Sequence, residues 1–412
     1  MLPKLRTALL AAALAFPASV ALAEPITLEQ AIVKAIEAAP SMRANEAAIA
    51  AAQAGRTQAG VRPNPTITVE NENFIGTGPI GIFRQAEVTA TYSQTIERGG
   101  KRDARIGVAE REIGLAEASA RVAQLDLAAQ VERAFIDLLI AREAVRIAEY
   151  RLSTEQGIER EALRRVRGYK DPLFVETRAA ARVAQARIDL QQAQARLVAT
   201  KNRLGSFWGG DGASVDPSGD FGWLTRERRK LAAADEALAE AEIDRSRATV
   251  ALEQTRATQD FTVSGGARFL RGTNDVALVA GITIPLGRFD RNQGGIERAQ
   301  AERLRAELTA EAQRLDRLRR LASLNGDADA AKTRADAIMA EVWPRATKTL
   351  AQVREGYNRG GFTFRDVQDA ADAILQVQDK WLEAVRQYRD LQTEIDRLTG
   401  RFDAAADGGT NP

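Results

Sequence analysis

In 412 residues the chain has no cysteine and no histidine. Without thiols it can form no disulfide, no thiolate nucleophile or thiolate metal site, and no lipid-bearing cysteine of the kind that anchors some exported bacterial proteins. Without imidazole, most hydrolytic triads, zinc centres and proton shuttles lose the group they depend on. Aromatic residues make up only 5% and prolines number 12, while Ala, Arg, Glu, Leu and Gln abound, a profile of long helices and coiled coils rather than of compact domains. After the first residues, no run of about 20 apolar residues occurs that could cross a bilayer as a helix.

What is present begins with an export signal. Lys4 and Arg6 precede an apolar run through Leu9, Leu10, Leu14 and Phe16 that closes on Ala21-Leu22-Ala23, so residues 1–23 read as a secretory signal peptide. That stretch holds two of the 58 basic residues and none of the 56 acidic ones. The remainder is balanced and offers no basic field to nucleic acid.

The rest reads as one unit written twice, residues 24–223 and 224–403, with a tail at 404–412 expected to be disordered. A helical pattern from Thr27 to about Gly60 breaks at Arg62-Pro63-Asn64-Pro65. Two alternating stretches follow, Thr66 to Glu70 and Val88 to Tyr92, around a loop with Gly76, Gly78, Pro79 and Gly81, which predicts a strand pair at about 62–97. After Gly99-Gly100 a helix is expected to about Arg167, roughly 100 Å long at 1.5 Å per residue. The second half repeats the plan: helix from about Arg226 to Ala257, then a strand pair at about 259–287 turning at Gly272-Thr273-Asn274-Asp275, with Gly294-Gly295 echoing Gly99-Gly100. Gly168-Tyr169 answers Gly356-Tyr357, each followed by a fresh helix. In the last helix Val367, Ile374, Trp381, Tyr388, Ile395 and Phe402 stand seven apart, with Ala370, Val377, Ala384, Leu391 and Leu398 three residues on; Val183, Leu190, Leu197 and Leu204 do the same in the first half. Such a repeat implies left-handed supercoiling against neighbouring helices.

Strands of about ten residues are long enough to cross an outer membrane when tilted. Four cannot close a barrel, and open edges in lipid would strand backbone groups, so a membrane reading requires further copies of the chain. Two copies would give 8 strands and three would give 12; strand count alone does not choose. On periodicity alone a soluble sheet covered on one face fits equally well, but long helices enter and leave each strand pair and no further strands supply a soluble core. The expected fold class is mainly α, with coiled-coil-like helices forming an α-barrel, four transmembrane β-strands per protomer contributing to a small membrane β-barrel, and an internal two-fold sequence repeat.

Arg62-Pro63-Asn64-Pro65, the run from Ser93 to Arg102, the run from Ile284 to Gly294, and Tyr357 through Ala370 ending Asp366-Val367-Gln368-Asp369-Ala370 occur in the order and spacing of a known family. On these residues the whole chain beyond the signal resembles the outer membrane efflux protein family, the TolC-like exit ducts, and within it the heavy-metal cobalt-zinc-cadmium (CzcC-like) branch. The resemblance implies a homotrimer in the outer membrane with a long periplasmic portion. It also implies docking of the tunnel tip on a periplasmic adaptor, or membrane fusion protein, and on an inner-membrane pump of the resistance-nodulation-division (RND) class. In such channels carboxylates near the tip constrict the aperture; Asp366 and Asp369 fall at that spacing, and Tyr357 matches a residue that helps hold the tip closed. Phe362 stands where some members carry a basic latch residue, a departure from their closing contacts. The turns with Gly168, Tyr169, Lys170, Asp171 and Pro172, and with Arg359, Gly360, Gly361 and Phe362, become adaptor contacts in the same comparison.

The resemblance implies no enzyme activity, cofactor or resident metal; paired acids such as Asp235-Glu236 read as a solvated helix face. A duct passing ions chosen by an upstream pump has no need to hold them tightly. Export of drugs or other small organic compounds, a periplasmic adaptor and a structural coiled-coil protein stay open as alternatives, and the segment Gly205 to Gly222 has no assigned partner.

Overall fold

A computed structural model describes residues 25–210, 212, 215–218 and 230–402. The signal peptide and tail expected from the sequence lie outside the described residues, as does part of the 205–222 segment. In chain order the elements are β1 (Pro25–Ile26), α1 (Leu28–Ala38), α2 (Pro40–Ala59), β2 (Thr66–Glu72), β3 (Glu87–Ile96), α3 (Lys101–Arg167), α4 (Phe174–Gly205), β4 (Asp216–Pro217), α5 (Ala233–Thr255), β5 (Phe261–Leu270), β6 (Asp275–Thr283), α6 (Gln293–Ala337), α7 (Trp343–Arg359) and α8 (Phe364–Thr399).

Several helix boundaries differ from the sequence reading, each for a local reason. The stretch expected as one helix to Gly60 breaks at Ala39, because the proline ring of Pro40 disfavours a helical conformation in the residue before it, and α2 restarts with Pro40 in its first turn. Gly99 and Gly100 both have positive φ and turn β3 into α3; a Cβ at Gly99 would also lie 2.8 Å from Thr258. In the second half that turn is made by Asn292 at φ 58°, held by its amide donating to the Glu253 backbone oxygen at 2.8 Å and to the Glu253 carboxylate at 2.7 Å. Gly294-Gly295 instead lie inside the first turn of α6. Between α6 and α7 a wide π-turn, Ile338–Val342, precedes Pro344, whose ring would clash with an ordinary helical carbonyl.

The four long strands form one antiparallel sheet in the order β2-β3-β5-β6, so the two halves of the chain meet at the β3/β5 pair and β2 and β6 are open edges. Register sorts the side chains by face. Ile67 lies opposite Tyr92, Val69 opposite Ala90, Ala90 opposite Ala267, and Ala267 opposite Leu278, giving an apolar face on which Leu278 is 89% exposed and Ile67 76%. The other face carries Thr68, Thr91, Ser93, Ser264 and Thr95, with the Arg268 guanidinium donating to the Glu87 carboxylate and the Thr89 hydroxyl, each at 3.0 Å. No helix among the described residues is long and apolar enough to cross a membrane.

Midway along α3 an equatorial core gathers Ile32 of α1, Leu125, Phe135 and Leu138 of α3, Leu204 of α4, Val215 and Phe402. The segment left unassigned by sequence contributes here: β4 pairs in parallel with β1, and Arg142 donates to the Pro217 carbonyl at 2.9 Å. Beside this core Glu132, 2% exposed, faces Arg401 at 3.6 Å, and Arg401 pairs with Asp396 at 2.8 Å. Burial, reinforced by the nearby Asp396 carboxylate, pushes Glu132 up to about 8. In α8 the heptad positions Val367, Ile374, Tyr388 and Ile395 are buried as expected, but so are Ala371, Gln378, Val385 and Gln392, because α8 packs on α3 as well as on α6 and α7.

Candidate tunnel tip and aperture

Both helical hairpins reverse by the same hydrogen-bond device. In the first, Tyr169 N donates to the Val166 oxygen at 3.0 Å and Lys170 N to the Arg165 oxygen at 2.9 Å; in the second, Gly360 N donates to the Tyr357 oxygen at 3.0 Å and Gly361 N to the Gly356 oxygen at 2.8 Å. The left-handed residue is Tyr169 in one and Gly360 in the other. Gly168-Tyr169 is therefore matched by Arg359-Gly360, and Gly356-Tyr357 sit inside the last turn of α7 rather than at a reversal. The two glycine-tyrosine dipeptides look alike in sequence, although their environments are opposite: Tyr169 is 98% exposed and Tyr357 fully buried. Phe362 folds back over Gly356, where an added Cβ would lie 2.2 Å from the ring.

Tyr357 is the hub that joins the two tips. Its hydroxyl donates to the Asp171 carboxylate, its ring lies 4.4 Å beneath the Arg165 guanidinium, and its backbone oxygen accepts from Arg165. Arg165 grips Asp171 with two parallel hydrogen bonds of 2.9 and 3.0 Å. Arg165 and then the tyrosine hydroxyl hold the Asp171 carboxyl below the usual carboxylate range, while burial and the Asp171 contact push the Tyr357 phenol up. Behind this latch lie Ile158, Ala162, Val175, Leu350, Phe364 and Val367, and Arg354 of α7 reaches Glu161 of α3 at 3.2 Å. Arg165 was not singled out from the sequence. Its contacts with Tyr357 span 192 positions, and no local pattern announces them.

The remaining expected site residues are placed as follows. Asp366 is the third residue of a capping box, accepting from the Thr363 backbone N–H and hydroxyl at 2.7 Å each, which hold its carboxyl below the usual range. Asp369, one turn on, faces solvent beside Arg365 at 3.7 Å. Lys170, Pro172, Arg359, Gly360, Gly361 and Phe362 are exposed at the two reversals, while Asp171 is turned inward to the latch. Among the described residues no group of three or more acidic side chains is arranged to hold a metal ion.

Paired helical hairpins tied at their tips, joined to an open-edged sheet with one apolar and one polar face, define an outer-membrane channel subunit. The chain belongs to the outer membrane efflux protein family, whose model matches residues 31–210 and 227–401. It is 30% identical over 393 residues to the cobalt-zinc-cadmium resistance protein CzcC of Cupriavidus metallidurans, covering 92% of this chain and 91% of that one. It is 28% identical over 272 residues to the nickel-cobalt-cadmium resistance protein NccC of Alcaligenes xylosoxydans xylosoxydans, covering 63% and 61%. Among solved structures it resembles the outer membrane protein VceC of Vibrio cholerae, with a TM-score of 0.73 at 20% identity over 90% of this chain and 96% of that one.

Proposed function

We propose that three copies of this chain close a 12-stranded barrel and a helical tunnel, which together serve as the passive exit duct of a tripartite RND efflux system for heavy-metal cations. The observation that carries the duct is the sheet. Its open edges ask for identical neighbours, its apolar face suits lipid, and its polar face suits a water-filled lumen. The cargo assignment is supported by full-length similarity to a cobalt-zinc-cadmium resistance protein. Asp366 and Asp369 of three copies surround the tip opening and attract cations, and the Arg165–Asp171–Tyr357 latch holds that opening shut at rest. The exposed reversals at 168–172 and 359–362 meet a periplasmic adaptor, which links the duct to an inner-membrane pump. The two repeats, 24–223 and 224–403, each supply one strand pair and one tip hairpin to this assembly.

The test is resistance of a deletion strain to zinc, cobalt, cadmium, copper and several drugs, with the wild-type gene returned. Selective loss and rescue of metal resistance is expected. Loss of drug resistance with metal resistance intact would end the metal assignment while leaving the duct standing.

A further inference from the structure

Above the tip, α3, α4 and α8 enclose a cavity of about 180 Å³ walled by Arg151, Glu155, Arg182, Asp189 and Asp372. Its charges form two rungs with one pattern. Arg182 of α4 donates to Glu155 of α3 at 3.1 Å and to Asp372 of α8 at 3.3 Å. Arg151 of α3 donates to Asp189 of α4 at 2.9 Å and faces Asp379 of α8 at 3.6 Å. Each arginine thus sits between one carboxylate of its own α3/α4 hairpin and one carboxylate of α8. The two α8 acids are seven residues apart and share a face, and Asp372 lies roughly 12 Å along α8 from its start at 1.5 Å per residue.

We propose that Arg151 and Arg182 form a second latch, which positions α8 against the α3/α4 hairpin and releases it when the tunnel opens. The inference rests on the exit-duct reading, in which the tip is the part that moves. Separating two buried charges is prohibitive when one is left alone, but here each arginine keeps the carboxylate of its own hairpin. Glu155, only 4% exposed, is the retained partner of Arg182, whereas Asp379, the released partner of Arg151, is already largely in solvent. The buried side of α8 is also incompletely satisfied in this conformation. Both amide atoms of Gln368 and the carbonyl oxygen of Gln378 are buried without a hydrogen-bond partner, and solvation on release would satisfy them. An arrangement with paired charges in both positions and orphaned amides in only one suits a joint that opens and closes.

The two kinds of partner make opposite forecasts. In planar bilayers the purified Asp372→Asn/Asp379→Asn oligomer is expected to show an open fraction higher on the order of five-fold, with its thermal midpoint unchanged. Asp372→Glu/Asp379→Glu, which keeps the charges, should conduct as the wild type does. Glu155→Gln/Asp189→Asn should lower the midpoint without raising the open fraction. Equal conductance in the Asn and Glu variants of Asp372/Asp379 would overturn the latch, whatever the fate of the Glu155→Gln/Asp189→Asn protein. So would an equal rise from removing either set of partners. An oligomer that conducts nothing either as the wild type or as any of these variants would overturn the duct reading itself, and the latch with it.

Discussion

The equator and the tip of the helical body are held by different means. At the equator Ile32, Leu138 and Leu204, all fully buried, interlock with Leu125 and Phe135, and the short β1/β4 ladder ties the start of the described chain to the segment after α4. At the tip Ile158, Leu350, Phe364 and Val367 also pack together, but the connection between hairpins runs in addition through the polar side chains of Tyr357, Asp171 and Arg165. Close-packed aliphatics resist any displacement, because separation leaves a void or exposes apolar surface. Ion pairs and hydrogen bonds can exchange with water at small net cost. The difference teaches that the fixed part and the working part of such a duct are distinguishable by the chemistry of their contacts.

The comparison breaks most readily at the equator. Leu138→Ala is expected to cost about 2–5 kcal/mol of stability, read as a fall in the thermal midpoint by circular dichroism. A loss below about 1 kcal/mol would mean the equator is no firmer than the tip. Next in size is Glu132. Its folded pKa of about 8 lies above the ordinary value of 4.5, so the folded state alone keeps the proton between them. Stability therefore falls as pH rises through that window and levels off above it. Glu132→Gln should flatten this dependence between about pH 5 and about pH 8, and an unchanged slope would remove the group from the account.

Tyr357→Phe deletes one hydrogen bond to a carboxylate, worth about 1–2 kcal/mol to the latch. Single-channel conductance should rise while the global midpoint stays put; the reverse result would make Tyr357 an ordinary core residue. The folded Asp171 carboxyl is depressed, so its contribution is present above the usual carboxylate range and is lost only as pH falls through the lowered value. Acid opening of the wild-type tip is accordingly expected only below about pH 4. The smallest effect belongs to Asp369→Asn, which should reduce cation selectivity, measured as a reversal potential, without changing stability. Asp369 is the cleaner probe of the aperture, since replacing Asp366 also removes the cap of α8.

Much of the fold was legible because it rests on local periodicity. Alternation marked all four long strands, the glycine pair marked the start of α3, and the heptads marked one buried stripe of α8. What escaped depends on single residues adopting uncommon conformations or on distant contacts. Tyr169 and Asn292 take left-handed turns more often given to glycine, and the second stripe of α8 through Ala371, Gln378, Val385 and Gln392 arises because α8 is packed on several neighbours, α3, α6 and α7, which a heptad count does not reveal. The site was less legible than the fold. Tyr357 was expected at the closing contact by resemblance, but its partners Asp171 and Arg165 come from the other hairpin, and Asp171 had been expected to face an adaptor.

Closure of the open-edged sheet by identical copies around a polar lumen is what a working duct depends on most. Light scattering on the detergent-extracted protein, followed by reconstitution of the same sample in planar bilayers, tests it most directly. A trimer that conducts ions in discrete steps is the expected result. A stable monomer, or an oligomer of any size that leaves the bilayer sealed both as the wild type and with the latch loosened by Tyr357→Phe, would contradict it.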